Sequence, residues 1–221
     1  MSNHQNTYLK IIAECSFARP RVSNKQIIHF ANVTPATVTE TTRQLQTQGL
    51  VNRRRYTGVT LTERGKQVAC QLLATYRLCE VFLDQQLRIP RDQIPEQAWQ
   101  MADTLTPTTA AALADYLDHP QRSPFGGTLA PDRLLDDQQV TRLSDVPVNA
   151  TVTLSGYLET ANLVAYLDHL QLPLDVPLTI TARDDELHLL YLQLPTQREV
   201  TINTLVATYL YTVPVAVPAE V

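Results

Sequence analysis

A chain of 221 residues has room for one large or two small domains, each burying its own core. At 44% hydrophobic, with no run of about 18 apolar residues, it reads as an ordinary soluble globular protein with nothing to span a membrane. The formal net charge of −4 is split unevenly: residues 1–66 hold ten Lys/Arg against Glu14, Glu40 and Glu63, a formal +7, and the rest of the chain is formally −11. The opening MSNHQNTYLK lacks an apolar secretory segment, so a cytoplasmic location is expected.

In chain order, Asn6 to Glu14 predicts a short first helix with Tyr8, Leu9, Ile11 and Ile12 on its apolar side, broken by Phe17 to Pro20. Ser23 followed by Gln26 is a capping-box signature for a helix carrying Ile27, Ile28 and Phe30. Thr34-Pro35 signals a second start, because a hydroxyl satisfies orphan amides and proline suits the first helical position. That helix runs from Pro35 to about Gln48, with Val38 and Leu45 on one face, and Gly49-Leu50 fits a glycine C-cap. Only Ala31, Asn32 and Val33 separate the two helices, the short connection of a helix-turn-helix. Val51–Arg55 and Val59–Thr62 then flank Tyr56-Thr57-Gly58 as a hairpin, which makes the unit a winged helix-turn-helix.

The second helix offers Ala36, Thr37, Thr39, Glu40 and Arg43 to solvent, with Thr34 at its cap. Small hydroxyl side chains permit close approach to a major groove, and an arginine reaches phosphate or a guanine edge. On the wing, Arg53, Arg54, Arg55 and Thr57 complete the candidate DNA-contacting set, the arginines for phosphate and Thr37 and Glu40 for sequence choice. Helix pairs of this shape also serve as plain structural cores. A basic head on an acidic body is the footprint of duplex DNA binding and decides between the two.

Thr62 caps a long helix from about Glu63 to Leu87 whose apolar set is Val68, Leu72, Leu73, Tyr76, Cys79, Phe82 and Leu83. That stripe is longer than a small domain needs, so a homodimer through this helix and the next is expected. Asp92 to about Leu105 and Pro107 to about His119 give two more helices. Pro120 to Asp145 is rich in turn formers and acids and reads as a linker with one weak helix. Beyond it the short β-rich runs are Thr151–Leu154, Leu178–Thr181, Leu187–Leu192, Glu199–Ile202 and Tyr209–Val213. Arg183 to Glu186 reads as a turn between the second and third, and a helix over Thr160 to Leu170 interrupts the series. About 75 such residues suggest a small, partly open barrel. The domain expectation is 1–62 winged helix-turn-helix, 63–122 helical dimerisation domain, 123–145 linker and 146–221 barrel.

Enzyme readings find little support. Ser155-Gly156 is no nucleophile elbow, and the six glycines form no phosphate loop. Cys15, Cys70 and Cys79 form neither a C-x-x-C pair nor a disulfide framework, and the five histidines are scattered.

The pieces TYLKII, VSNKQI, VTPATVTETTRQLQTQGLV, YTGVTLTERGKQVA, YRLCEVFL and HPQRSPFGGTLAP, spanning residues 6–131, resemble the DtxR/MntR family of iron- and manganese-dependent repressors. The tail, through VTLSGYLETANLVAYLDHLQL, resembles that family's SH3-like (FeoA-like) third domain. The resemblance implies an α+β fold, a homodimer, a palindromic double-stranded operator and repression switched by a divalent metal.

Carried over position by position, most of the family's metal ligands are missing. The first helix presents Thr7 and Lys10, the long helix Tyr76, and the fifth helix Trp99, Ala102 and Asp103, so the primary site reads as degenerate. Iron(II) or manganese(II) needs several N, O or S donors, and among these six only Asp103 is one. Glu80, Glu159 and Asn162 remain as oxygen donors at ancillary positions. The expectation is a DNA-binding repressor with no cofactor, no longer gated at the primary site, in which either Lys10 and Asp103 pair across the emptied positions or Lys10 points to solvent. The alternatives are a manganese- or iron-responsive repressor using a rebuilt or ancillary site, and an interaction protein that no longer reads DNA.

Overall fold

A computed structural model describes residues 3–16, 21–31, 33–54, 57–130 and 141–215. They fall into two compact units, Met1–Pro124 with Thr128–Asp137, and Phe125–Gly127 with Gln138–Val221.

The first unit opens with α1 (Asn3–Ser16), which packs on both following helices of the winged head, on its second strand and on the long helix. It outruns the predicted Asn6–Glu14 at both ends. Its polar first turn has no apolar period to betray it, and the Ser16 hydroxyl closes the last turn by donating to Ala13 O at 2.8 Å. The head then follows its local signals. α2 (Asn24–Ala31) starts on the reciprocal capping box, Ser23 N donating to Gln26 Oε1 at 3.0 Å and Gln26 N to Ser23 Oγ at 3.2 Å. α3 (Pro35–Thr47) starts where Thr37 N donates to Thr34 Oγ1, and it buries Val38 and Leu45 completely. It ends where Gly49 takes a φ of 69° and Leu50 N returns to Leu45 O at 2.9 Å. The wing pairs β1 (Val51–Arg54) with β2 (Gly58–Leu61), Val51 opposite Leu61. Arg55 and Tyr56, at its tip, lie outside the described residues.

α4 (Glu63–Gln85) begins on the Thr62 cap, directly beneath the end of α3. A Cβ at Gly65 would lie 1.8 Å from Leu50 O, so only glycine lets the two backbones meet. The predicted stripe needs correcting. Leu73, Tyr76, Cys79 and Leu83 are buried, but Val68, Leu72 and Phe82 are half-exposed, and the run from Tyr76 to Val81 is buried on every side. The cause is that α1 and α5 (Ile94–Thr104) both pack against this helix, so the protomer itself covers much of the stripe assigned to a partner. α6 (Pro107–Tyr116), capped by Thr106, buries none of its residues. The linker reading narrows as well. Ser123 and Phe125 are buried, and the Thr128 carbonyl is an acceptor for Arg77. The weak helix expected after Pro131 lies outside the described residues.

The second unit is a six-stranded antiparallel sheet ordered β3-β8-β4-β5-β6-β7, built from β3 (Thr141–Arg142), β4 (Thr151–Tyr157), β5 (Pro177–Asp184), β6 (Leu189–Gln193), β7 (Glu199–Asn203) and β8 (Leu210–Pro214). Alternation explains the core: Leu178 and Ile180 of β5 and Leu190 and Leu192 of β6 point inward. α7 (Ala161–His169) joins β4 to β5, and the single turn α8 (Thr204–Ala207) joins β7 to β8. The predicted turn at Arg183 to Glu186 sits two residues later, over Asp185–His188. Asp184 closes the strand and its Oδ1 accepts from Leu187 N at 2.8 Å, which fixes the turn downstream. β3 is too short to show a pattern in sequence. It exists because Thr212 Oγ1 and the β8 backbone hold it. No helix among the described residues is long and apolar enough to cross a membrane.

Candidate functional site

Two places gather the candidate residues. On the outer face of α3, Ala36, Thr39, Glu40 and Arg43 are exposed and Thr37 is half-buried. The hydroxyls are partly committed to the helix itself. Thr34 caps it and lies 2.9 Å from the Thr37 hydroxyl, and Thr39 Oγ1 donates to Pro35 O. Arg43 makes a two-pronged contact with Glu40, Nε to Oε2 at 3.2 Å and Nη2 to Oε1 at 3.1 Å, and Gln44 Nε2 adds a third donor at 3.0 Å. Those hydrogen bonds, Arg43's first, hold the Glu40 carboxyl below its usual range. The sequence treats Arg43 as a bare cation. In the fold its charge is shared with a carboxylate one turn away.

Beside α3, a cleft of about 600 Å³ is lined by Ser23, Asn24, Gln46, Gly58 and Val59 together with Arg53 and Arg54 of the wing. Arg54 and Thr57 are exposed and Arg53 half-buried; Arg55 lies outside the described residues. The head is held to the rest of the unit by α1. Gln5 Nε2 donates to Gln44 Oε1 at 3.2 Å, and Gln48 Nε2 donates to Gln5 Oε1 at 3.3 Å.

The second place is the junction of α1, α4 and α5. Thr7, Lys10, Tyr76 and Trp99 meet there. The Lys10 ammonium lies over the Tyr76 ring, 3.3 Å from its centroid, and 4.7 Å from the Trp99 ring. The two rings stand edge to face at 5.5 Å, and Trp99 Nε1 donates to Thr7 Oγ1 at 3.3 Å. The expected Lys10–Asp103 pair does not form among the described residues. The lysine stem turns toward the rings, and Ala102 and Asp103 stay half-buried. Just below, Glu14 and Arg77 form an ion pair at 2.8 Å with both side chains 2% exposed, and Arg77 Nη1 also donates to Thr128 O at 2.8 Å.

A model of the iron-dependent repressor metal-binding and dimerisation domain matches residues 62–129, the stretch holding α4, α5 and α6. The chain is 27% identical to the manganese regulator SloR, covering 96% of this chain and 99% of that one with a TM-score of 0.82. It is 26% identical to ScaR with bound Cd2+, over 96% and 99%, with a TM-score of 0.80. These matches support the DtxR/MntR family for the chain. Among sequence relatives, the iron-dependent repressor IdeR of Mycobacterium tuberculosis is 24% identical over 124 residues, 52% of this chain. That match spans 54%, about half, of the IdeR length.

The neighbours overturn the expectation that no cofactor is involved, because SloR is a manganese regulator and ScaR holds Cd2+. Four of the six carried-over positions nevertheless suit a divalent ion poorly. Thr7 accepts the indole proton, Trp99 offers no lone pair, Ala102 has no donor and Lys10 places an ammonium between the rings. No group of three or more His, Cys, Asp or Glu stands ready for a divalent ion among the described residues. Of the ancillary candidates, Glu80 is buried in the first unit, whereas Glu159 (buried) and Asn162 (exposed) belong to the second.

Three features of the site escaped the sequence: the ring cage around Lys10, the Glu14–Arg77 pair and the Gln5 link. Glu14 and Arg77 did leave a signal, a charge on each of two largely apolar helical faces, which in a buried setting calls for a partner. Gln5 left none.

Proposed function

We propose that this DtxR/MntR-family chain is a transcriptional regulator, a repressor that binds double-stranded operator DNA as a homodimer in the cytoplasm. The observation behind this reading is the α3 face and the Arg53–Arg54 cleft on one side of a basic head. Small and hydroxyl side chains at Ala36, Thr37 and Thr39 admit the helix to a major groove, and Glu40 with Arg43 meets base edges there. Arg53, Arg54, Arg55 and Thr57 meet phosphate. The units of work are 1–62 for DNA, 63–122 for dimerisation and 146–221 for the β domain. The regulators named among its neighbours and the dimerisation model over 62–129 support the same reading. The primary metal positions are not a gate in this chain, since Lys10, Tyr76 and Trp99 fill them.

The test is selection from a library of random duplexes, followed by fluorescence anisotropy of the enriched sequence. Enrichment of a palindrome, bound by a species of twice 24.8 kDa in sedimentation, is expected. Failure to enrich any duplex, or a lone 24.8 kDa species at micromolar concentration, overturns it.

A further inference from the structure

We propose that Lys10 is a tethered cation whose ammonium, seated on Tyr76 and Trp99, fastens α1 to α4 and α5 and thereby holds the α3 face that α1 grips through Gln5. The geometry is specific. The ammonium is 3.3 Å from one ring centroid and 4.7 Å from the other, well inside the range in which a cation is drawn to an aromatic face. Tyr76 is fully buried, so its ring is an immobile platform on α4. The Trp99 ring is fixed by its edge-to-face contact with Tyr76 and by its N–H on Thr7. Thr7 and Lys10 are three residues apart and so lie on one face of α1, which means that a single helix face meets both aromatic side chains. The same helix reaches α3 two residues before Thr7, where Gln5 links Gln44 and Gln48.

A lysine is suited to the task by its chemistry. Its charge is compact, it cannot dissociate from the protein, and its stem spans the gap between helix and ring. Methionine has similar length and no charge; arginine keeps the charge and stacks on the same faces. The role of the clamp in DNA reading rests on the function proposed above, and the clamp itself is measurable without DNA.

The protein has three lysines, Lys10, Lys25 and Lys66, and one tryptophan, which makes two clean probes. Reductive methylation with 13C-formaldehyde keeps each lysine charged and gives each a separate methyl resonance. One dimethyl-lysine signal is expected far upfield, shifted by the ring currents of Tyr76 and Trp99, and absent in Lys10→Arg. Lys25 and Lys66 supply the solvent-exposed reference. Emission from Trp99 alone is expected to change in Lys10→Met and to stay near wild type in Lys10→Arg. Affinity for the selected duplex is expected to fall roughly tenfold in Lys10→Met and to recover in Lys10→Arg. Three coincident lysine signals in the unsubstituted protein, or unchanged Trp99 emission in Lys10→Met, overturn the clamp. A changed spectrum with unchanged duplex affinity overturns its hold on α3. If no duplex binds at all, the DNA-reading function fails while the resonance and emission still decide the clamp.

Discussion

Arg77 gives the sharpest stability test. Its side chain and that of Glu14 are each 2% exposed, and they meet at 2.8 Å. Arg77 also donates to the Thr128 carbonyl, so one guanidinium joins α1, α4 and the segment after Pro124. Replacing Arg77 by methionine keeps the stem and removes the charge, leaving the buried Glu14 carboxylate without its guanidinium. Breaking a buried pair from one side costs about 3–5 kcal/mol. For a chain of this length that is a fall in Tm of roughly 6–20 °C. Removing both charges, as in Glu14→Leu with Arg77→Met, leaves no orphaned ion. Its remaining cost is near the ~1 kcal/mol of a lost hydrogen bond at Thr128 O. Thermal melting of the two single variants and the double variant is the assay. A single Arg77→Met within about 2 °C of wild type, or a double variant as unstable as the two losses added, refutes the reasoning.

Glu40→Gln releases Arg43 from its carboxylate, so affinity for any duplex should rise and the salt slope steepen by about one unit; an unchanged slope counts against a DNA-facing Arg43. Gly65→Ala forces a methyl against Leu50 O and should destabilise the head by about 2 kcal/mol or more, visible in a denaturant melt. Cys79 is pushed up to about 12 by burial, with the charge of Glu80 adding to the shift, so the native thiol should resist alkylation at neutral pH. Because the folded thiol's pKa lies above the ordinary 9.0, its stability contribution is full below that value and is lost as pH climbs toward 12. Cys79→Ala should flatten that alkaline decline, read by melting across the range.

What the sequence made legible is what neighbouring residues decide. The caps at Ser23, Thr34, Thr62, Thr106 and Thr160 all start helices, because a hydroxyl three residues ahead of an amide is a local arrangement. Gly49 ends α3 for an equally local reason. The facing of α4 was not legible, because α1 and α5 both pack on it and together decide that Ala69 is buried while Val68 is half-exposed. Lys10 shows the same limit within the site. Its place on α1 follows from the chain, and so does the loss of ligand chemistry at Thr7, Tyr76 and Trp99. Where its stem points is decided by three helices meeting. An ion pair with Asp103 and a seat on two rings fit the sequence equally well, and the seat on the rings is the one that also fills the space between them.

α1 is thus held at three levels: Gln5 to α3, Lys10 to the rings, and Glu14 to Arg77. At about 1.5 Å per residue, Gln5 and Lys10 are some 7.5 Å apart along the axis and reach different helices, far enough to be near-independent contributors to stability. All three are directional contacts on a single rigid helix, so a slide of α1 by one turn would break them together, whereas an apolar face would tolerate the slip. The consequence is a split between two measurements. In stability, Gln5→Leu and Lys10→Met should add, since Gln5 meets Gln44 and Gln48 whereas Lys10 meets Tyr76 and Trp99. In duplex affinity they should not: once either contact is gone, the α3 face is no longer fixed against α4, and losing the second contact removes little more. The double variant should therefore bind DNA about as weakly as the poorer single variant while melting at the summed depression. Additive losses in affinity would mean that Gln5 and Lys10 act on DNA separately, and that α1 does not transmit one to the other.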